Sequence, residues 1–519
     1  MADRNIDTNH ITITVPIHLL TINNSLFTFQ ISFPNTILPK TLSHFSYHTQ
    51  HTHIRSPLRD FVSGTIMAAT SVPQLIAYSE TVRLPGYRGV STAGPPLAIY
   101  GVSTGHPYLN AGVTAITALM TKSDLNGDAY LQQYGETAYI QLVAAYSLWI
   151  GGASMVLAMT PFGTVARNVP APIRYGFKWG CSIGVLLSAL PNGMFQQGSS
   201  ELKILVGGNG WINHTIGPLK GILPGLYTIV SCIYGIIQPW MWSLPSVIMF
   251  LLGTAFIMEG SQSILPKSFP PGIDVIVVTL TCALYSYYTQ YDGAIVGEIP
   301  TSTLSGGTSL FDGQIQLPFD VLNIKQLLLE TPLVQQFGGS YVLLAVSSLM
   351  FAAVNFISIM GIANGFESED GIPWNANREI FAQGTSCTMA AFVGSPPVSG
   401  SLSRSLVSRM TGTTSQLACI ITALCWMYLL PYMNVMSPTP KAALSAVIVS
   451  AVLKGILIPK DLRQLSGIEA IIGWCTGIIT AVSTPTTGFG AGIVLHYILN
   501  FANYVLLLLR STTPKVKTQ

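Results

Sequence analysis

Residues 394–412 read Gly-Ser-Pro-Pro-Val-Ser-Gly-Ser-Leu-Ser-Arg-Ser-Leu-Val-Ser-Arg-Met-Thr-Gly, and they lie between two apolar runs, 341–363 and 417–430. Pro396 and Pro397 forbid helix just upstream, because each lacks an N–H and pushes the residue before it out of the α region. Gly400 and Ser401 then offer a helix start, with Ser399 or Ser401 as N-cap and Ser403, Arg404 and Ser405 in the first turn. A helix that begins between apolar runs aims unpaired N–H groups and a partial positive charge at whatever lies before it. With a guanidinium and several hydroxyls added, the stretch reads as a site for a small anion. The competing reading makes Arg404 an interfacial arginine snorkelling to water from a helix end.

Composition sets the surroundings. Only 9% of the 519 residues are charged and 49% are hydrophobic, where a soluble domain carries roughly 25% charged residues. The chain is read as an all-α polytopic membrane protein whose first partner is the lipid bilayer. A net charge of +3 argues against a nucleic-acid partner. The cysteines at 181, 232, 282, 387, 419, 425 and 475 fall in or beside apolar segments without metal-type spacing, and read as small buried residues. No metal, cofactor or nucleophile–base motif is read, so an enzyme is the least favoured class. No signal peptide is read either, because residues 1–10 are polar and the apolar run at 15–20 is short.

Taken in order, residues 1–58 form a polar tail. Within it, 11–15 and 27–33 alternate with period two and predict a small hairpin. His44, His48, His51 and His53 follow and read as part of a hydrophilic tail rather than a metal site. The first membrane helix starts near Asp60 and carries Pro73 and Gln74 in an otherwise apolar run, which fits a cavity wall. A second helix is expected at about 90–104. The run 106–120 offers only about a dozen helix-competent residues, short of the roughly 20 that span a bilayer. It reads as a half-helix starting near Asn110, the counterpart of 400–412. Two interrupted helices in matching places of the two halves point to a transporter site between inverted repeats. Further apolar stretches lie at about 138–160, 172–193, 225–236, 239–262, 270–288, 341–365, 415–433, 440–458, 466–483 and 487–510. Lys178 reads as structural or snorkelling. Asn213-His-Thr215 is a glycosylation sequon placed in a loop.

Several motifs carry a resemblance. Pro397-Val-Ser-Gly-Ser-Leu-Ser-Arg-Ser405, followed by Thr411-Gly412 and Gln416-Leu417, resembles the tenth membrane segment of the sulfate permease (SulP) family, which includes solute carrier family 26. Val72-Pro-Gln-Leu-Ile-Ala-Tyr78 resembles that family's first-helix motif, in which the glutamine and the aromatic line the anion site. Gly176-Phe177 with Gly180, residues 293–300, Asn377-Arg-Glu-Ile-Phe-Ala-Gln-Gly384 and Pro440-Lys-Ala442 are similar to further family motifs in the same order. The chain departs at Asn110-Ala-Gly-Val113, which lacks the family's proline. It departs again at Ser358, where proton-coupled members carry a glutamate. It also departs at the C-terminus, because nine residues follow Arg510 where members continue into a STAS domain, so the chain reads as a member lacking it or as a truncated product.

The resemblance implies about fourteen transmembrane segments in a seven-plus-seven inverted repeat, an architecture shared with the uracil permeases. A cytoplasmic tail would cover 1–58, a transporter domain 59–510, and a short cytoplasmic tail 511–519. Within the transporter domain the core would be about 59–160 and 340–433, and the gate about 170–290 and 440–510. The implied function is secondary active transport of inorganic anions by elevator-type exchange, sulfate first, then chloride or bicarbonate. The alternatives are a proton-coupled symporter, a channel-like conductor, a nucleobase carrier of the same fold, and a non-transporting sensor or motor. The anion would be held by Gln74, Tyr78, Gly112, Val113, Thr114, Ser401, Ser403 and Arg404, with Ser358 as the coupling position. Basic residues flanking the first and last spans make the termini cytoplasmic. The plasma membrane is the expected location, and a homodimer the expected assembly.

Overall fold

Ser56 caps the first long helix, its hydroxyl accepting from Arg59 N, with Pro57 at the first helical position and Asp60 in the first turn. Each choice satisfies or removes an orphan donor at a helix start. This helix, α1 (Pro57–Val82), runs through Pro73 without a break and ends where Arg83 adopts a left-handed φ of 76°. The computed structural model describes residues 10–14, 30–34, 56–167, 169–208, 210–218, 223–260, 273–297, 327, 331–429 and 435–512. Met1–Ile54 and Arg55–Gln519 form two separate compact units.

In the first unit, β1 (His10–Thr14) and β2 (Gln30–Pro34) pair antiparallel, with Ile11 opposite Phe33. This is the hairpin that the period-two alternation predicts, with its second strand set three residues later than expected. His44, His48, His51 and His53 lie outside the described residues.

The second unit is mostly helical. After α1 come α2 (Gly86–Val90), α3 (Pro95–Ser103), α4 (Ala115–Asp124), α5 (Gly127–Met159), α6 (Phe162–Arg167) and α7 (Ala171–Met194). Next are α8 (Ser199–Gly207), α9 (Gly210–Thr215), α10 (Pro224–Ile236), α11 (Leu244–Ala255) and α12 (Ile273–Thr289). The second half holds α13 (Tyr341–Asp370), α14 (Ala376–Phe392), α15 (Leu402–Met410) and α16 (Leu417–Leu429). It closes with α17 (Lys441–Leu457), α18 (Gly467–Val482) and α19 (Pro485–Thr512). Among the described residues three helical stretches are long and apolar enough to cross a bilayer, Gly127–Met159, Tyr341–Glu367 and Lys441–Arg463, with several shorter apolar helices beside them.

Four expectations are corrected. The helix expected at 90–104 is broken into α2, a 3₁₀ turn at Ser91–Ala93 and α3, because Pro95 and Pro96 remove donors at the junction. The half-helix expected near Asn110 starts at Ala115, and Ala111–Gly112 form strand β3 instead. Ser399, a candidate N-cap, lies with Gly400 in strand β4, so the membrane unit is not purely helical. Asn213, expected in a loop, lies on α9.

Two groups of helices share the packing. In one, α14 packs on α5 and α3, and α16 on α1 and α3. In the other, α7 packs on α18 and α17, and α11 on α17. The α7–α18 contact is backbone on backbone, since a Cβ on Gly176 would stand 2.0 Å from Gly473 O and one on Gly180 would stand 2.4 Å from Gly477 O. Small residues at such a crossing let helices approach closely where lipid offers no hydrophobic drive. Lys178, two residues from each of these glycines, is exposed.

Candidate functional site

Two half-helices start at one place because a short strand pair holds them there. β3 and β4 pair antiparallel, Ala111 opposite Gly400 and Gly112 opposite Ser399. Ser401 N extends the ladder by donating to Asn110 O at 3.0 Å, and Ser405 Oγ accepts from Asn110 N at 3.1 Å. The chain leaves this crossing as α4 on one side and α15 on the other. Both N-termini are therefore fixed at the strand pair, each equivalent to roughly half a positive charge.

The two starts are capped differently. Thr114 Oγ1 accepts from Thr117 N at 3.3 Å, while Thr117 Oγ1 accepts from Thr114 N at 2.9 Å. This capping box occupies two donors and leaves the N–H groups of Ala115 and Ile116 without intrahelical partners. Ser401 occupies the N-cap of α15 but makes no side-chain cap bond. Its hydroxyl instead lies 3.2 Å from Ser403 Oγ, and Ser403 Oγ donates to Gln74 Oε1 at 3.2 Å. The first-turn N–H groups of α15 thus have no competing side-chain acceptor at the N-cap.

Arg404 is the charged member. It is 2% exposed, and both Nη1 and Nη2 donate to Val113 O at 3.2 Å. Its Nε is buried without a partner. A Cβ on Gly112 would stand 2.9 Å from Arg404 Nη2, so the lack of a side chain at 112 lets the guanidinium lie across β3. Tyr78, one turn past Gln74 on α1 and 5% exposed, is close enough for electrostatic interaction with Arg404. Gln74, Thr114 and Ser403 are half-buried, and present the polar side of this crossing. The structure therefore brings together Gln74, Tyr78, Gly112, Val113, Thr114, Ser401, Ser403 and Arg404. The buried position of Arg404 disposes of the snorkelling alternative, since its head group rests on Val113 rather than in water.

Ser358 stands apart from these contacts, half-buried on α13. One turn earlier, Asn355 makes the connection from that helix: its Nδ2 donates to Val398 O at 2.8 Å, and Ser399 Oγ donates to Asn355 O at 3.4 Å. Thr92 Oγ1 likewise accepts from Val113 N at 3.2 Å. Sequence reasoning missed both. The signal for Asn355 was present, an amide within an apolar run, which is costly unless it bonds to a neighbour.

The far ends of these elements are tied separately. The Asp60 carboxylate accepts from the N–H groups of Thr414 and Ser415 and from both hydroxyls. Glu379, fully buried, accepts from Tyr100 OH, Thr104 Oγ1 and Gly105 N. Arg378 reaches back to Ser103 O and Thr104 O. The motif around Asn377 thus holds the loop that delivers β3 to the crossing.

A family model described as the sulfate permease family matches residues 58–476. Human solute carrier family 26 member 6 is 25% identical over 487 residues, which cover 89% of this chain and 56% of that protein. The sodium-independent sulfate anion transporter of Bos taurus is 24% identical over 473 residues, covering 88% of this chain and 70% of its own length. The chain thus spans little more than half of the human relative. Among solved structures, the murine solute carrier 26 family member A9 anion transporter in the inward-facing state superposes with a TM-score of 0.67 at 18% identity, covering 89% of this chain and 70% of that one. The transmembrane domain of a cyanobacterial bicarbonate transporter gives 0.63 at 16% identity, covering 84% and 98%. At these identities the structural likeness establishes the fold.

Proposed function

The chain belongs to the sulfate permease family, and from that premise we propose that it carries inorganic anions across a membrane, holding each between the N-termini of α4 and α15. Members of this family are transporters rather than enzymes, and the chain is an integral membrane protein. The observation that carries the proposal is the convergence of two half-helix starts and the buried Arg404 on one strand pair. Each helix end contributes about half a charge and Arg404 a full one. N–H groups and the hydroxyls of Ser401 and Ser403 replace part of the ion's water, which offsets its desolvation. Gln74 and Tyr78 close the pocket from α1.

Sulfate is the first substrate to test, with chloride and bicarbonate next, since binding differences of about 1–3 kcal/mol reverse such a preference. We assign α1–α5 and α13–α16 to a moving core, and α7–α12 and α17–α19 to a gate, the short helices among these eighteen joining with others to give fourteen segments in two inverted repeats. The gate would supply a homodimer contact, and the core would slide against it to expose the site alternately. Basic residues beside the first and last helices favour cytoplasmic termini, and the proposed location is the plasma membrane. Ser358 leaves α13 without the carboxylate that proton coupling at that position would use, which favours exchange over symport.

The test is uptake of labelled sulfate by proteoliposomes of the purified chain, with and without chloride or bicarbonate inside. Uptake that rises with the trans anion supports exchange. Uptake driven only by a pH gradient overturns exchange in favour of symport, and absence of flux for all three anions overturns the transport reading.

A further inference from the structure

Away from the central crossing there is a second concentration of positive charge, in which only Lys441 belongs to a motif discussed above. Asp128, in the first turn of α5, meets three cations: Arg83 Nε at 2.9 Å, Lys122 Nζ at 3.2 Å and Lys203 Nζ at 2.9 Å. Lys441, at the start of α17, meets Glu80 at 2.6 Å. Between α1, α4, α7 and α17 lies a cleft lined by Glu80, Arg83, Lys122, Asn192, Lys441 and Ser445, among others.

The group holds four cations against two carboxylates, an excess of two positive charges. Asp124, two residues past Lys122, is not among their ion-pair partners: its carboxylate accepts from Tyr146 OH and Thr486 Oγ1. The lining cations are largely withdrawn from water, with side chains 20% (Arg83), 21% (Lys122) and 27% (Lys441) exposed. Ion pairing alone needs one cation per carboxylate, and unmatched charge in a half-buried cleft favours a counter-ion. Donors remain to hold one. Lys122 and Lys441 each have three ammonium hydrogens and one short ion-pair contact apiece. Asn192 Oδ1 accepts from Ser199 N, which turns its NH₂ group to donor duty.

The cleft also lies in line with the central site. Gln74, Ala77 and Thr81 stand at i, i+3 and i+7 on one face of α1, and the last two line the cleft. Thr114 and Lys122 are likewise two turns apart on α4. At 1.5 Å per residue these offsets are about 10 and 12 Å.

We propose that this cleft is a second anion site, taking a small inorganic anion such as chloride or sulfate between Arg83, Lys122 and Lys441 on its way to the central site. The proposal rests on the transport reading above. The cleft lies at the end of α1 opposite its capped start, so in the proposed orientation it faces outward. Core residues Arg83 and Lys122 and gate residue Lys441 then hold an incoming ion jointly across the seam.

The test uses cells expressing the full chain, with external labelled sulfate and chloride titrated for uptake and with efflux from preloaded cells read in parallel. The double variant Lys122→Gln/Lys441→Gln is expected to raise the external KM about tenfold, a loss of about 1.4 kcal/mol in capture, while Vmax and efflux stay within twofold. Lys122→Arg/Lys441→Arg, which keeps the charges, is expected to restore the external KM and so to separate charge from folding. An unchanged external KM in the Gln variant overturns the site. So does a parallel fall in uptake Vmax and efflux that the Arg variant does not rescue, which marks a structural latch. Absence of flux in the parent chain defeats the transport reading itself and this proposal with it.

Discussion

Replacing Arg404 by alanine removes the only full positive charge among the eight residues at the strand crossing. At an effective dielectric of about 20 and a separation of about 4 Å, a charge pair is worth about 4 kcal/mol. A bound anion that recovers part of its hydration on losing this partner leaves a net loss of about 3 kcal/mol, or about a hundredfold in affinity. The cost to folding is small by comparison. Val113 O loses two bonds of 3.2 Å, about 1 kcal/mol each, while removal of a guanidinium that is 2% exposed relieves its burial. Arg404→Ala should therefore fold, melt close to the parent, and lose sulfate and chloride uptake in proteoliposomes at substrate levels near the parent KM. Arg404→Lys should recover part of the uptake, because it keeps the charge but not the two-pronged contact with Val113 O. An Arg404→Ala protein that melts like the parent and transports with an unchanged KM would refute the assignment of this crossing as the anion site.

Other perturbations probe the supports. Gly112→Ala places a Cβ 2.9 Å from Arg404 Nη2 and 3.3 Å from Leu75 Cδ2, and should raise KM by displacing the guanidinium, with KM from uptake curves as the readout. Gln74→Ala and Ser403→Ala remove the two ends of one 3.2 Å hydrogen bond, so their effects on KM should be non-additive by about 0.5–1.5 kcal/mol in a double-mutant cycle. Gly176→Val drives a side chain into Gly473 O and should destabilise by about 3 kcal/mol or more, visible as a lower detergent-stable melting temperature. Asp60→Asn weakens the four contacts to Thr414 and Ser415 by about 1–3 kcal/mol, and should raise hydrogen exchange in the loop after α15 while leaving α4 protected.

The membrane class, the long helices and the two short ones were legible in the chain because they rest on local quantities: charge content, apolar run length, and prolines that bar helix. The residues of the crossing were legible for a related reason, since Arg404 and Gln74 interrupt apolar runs and such interruptions are costly unless used. Where each short helix begins was less so. Asn110 read as a helix start and Ser399 as one of two N-cap candidates, yet both serve the β3–β4 pair, whose partners are almost three hundred positions apart, while the other candidate, Ser401, does occupy the N-cap. Asn355 and Thr92 were missed because their acceptors and donors, Val398 O and Val113 N, belong to other segments. The cationic cleft was invisible for the same reason, being assembled from α1, α4, α7 and α17.

The sequence by itself determined which segments are long and apolar and which few polar groups interrupt them, because apolar length and the cost of a lone charge are properties of single stretches. The tertiary structure alone decided that two helix ends meet on one strand pair, that Arg404 turns onto Val113 rather than toward water, and that four cations share two carboxylates. Each of those depends on backbone hydrogen bonds and charge distances between residues far apart in the chain, which only the packed fold brings within 3 Å or so of one another.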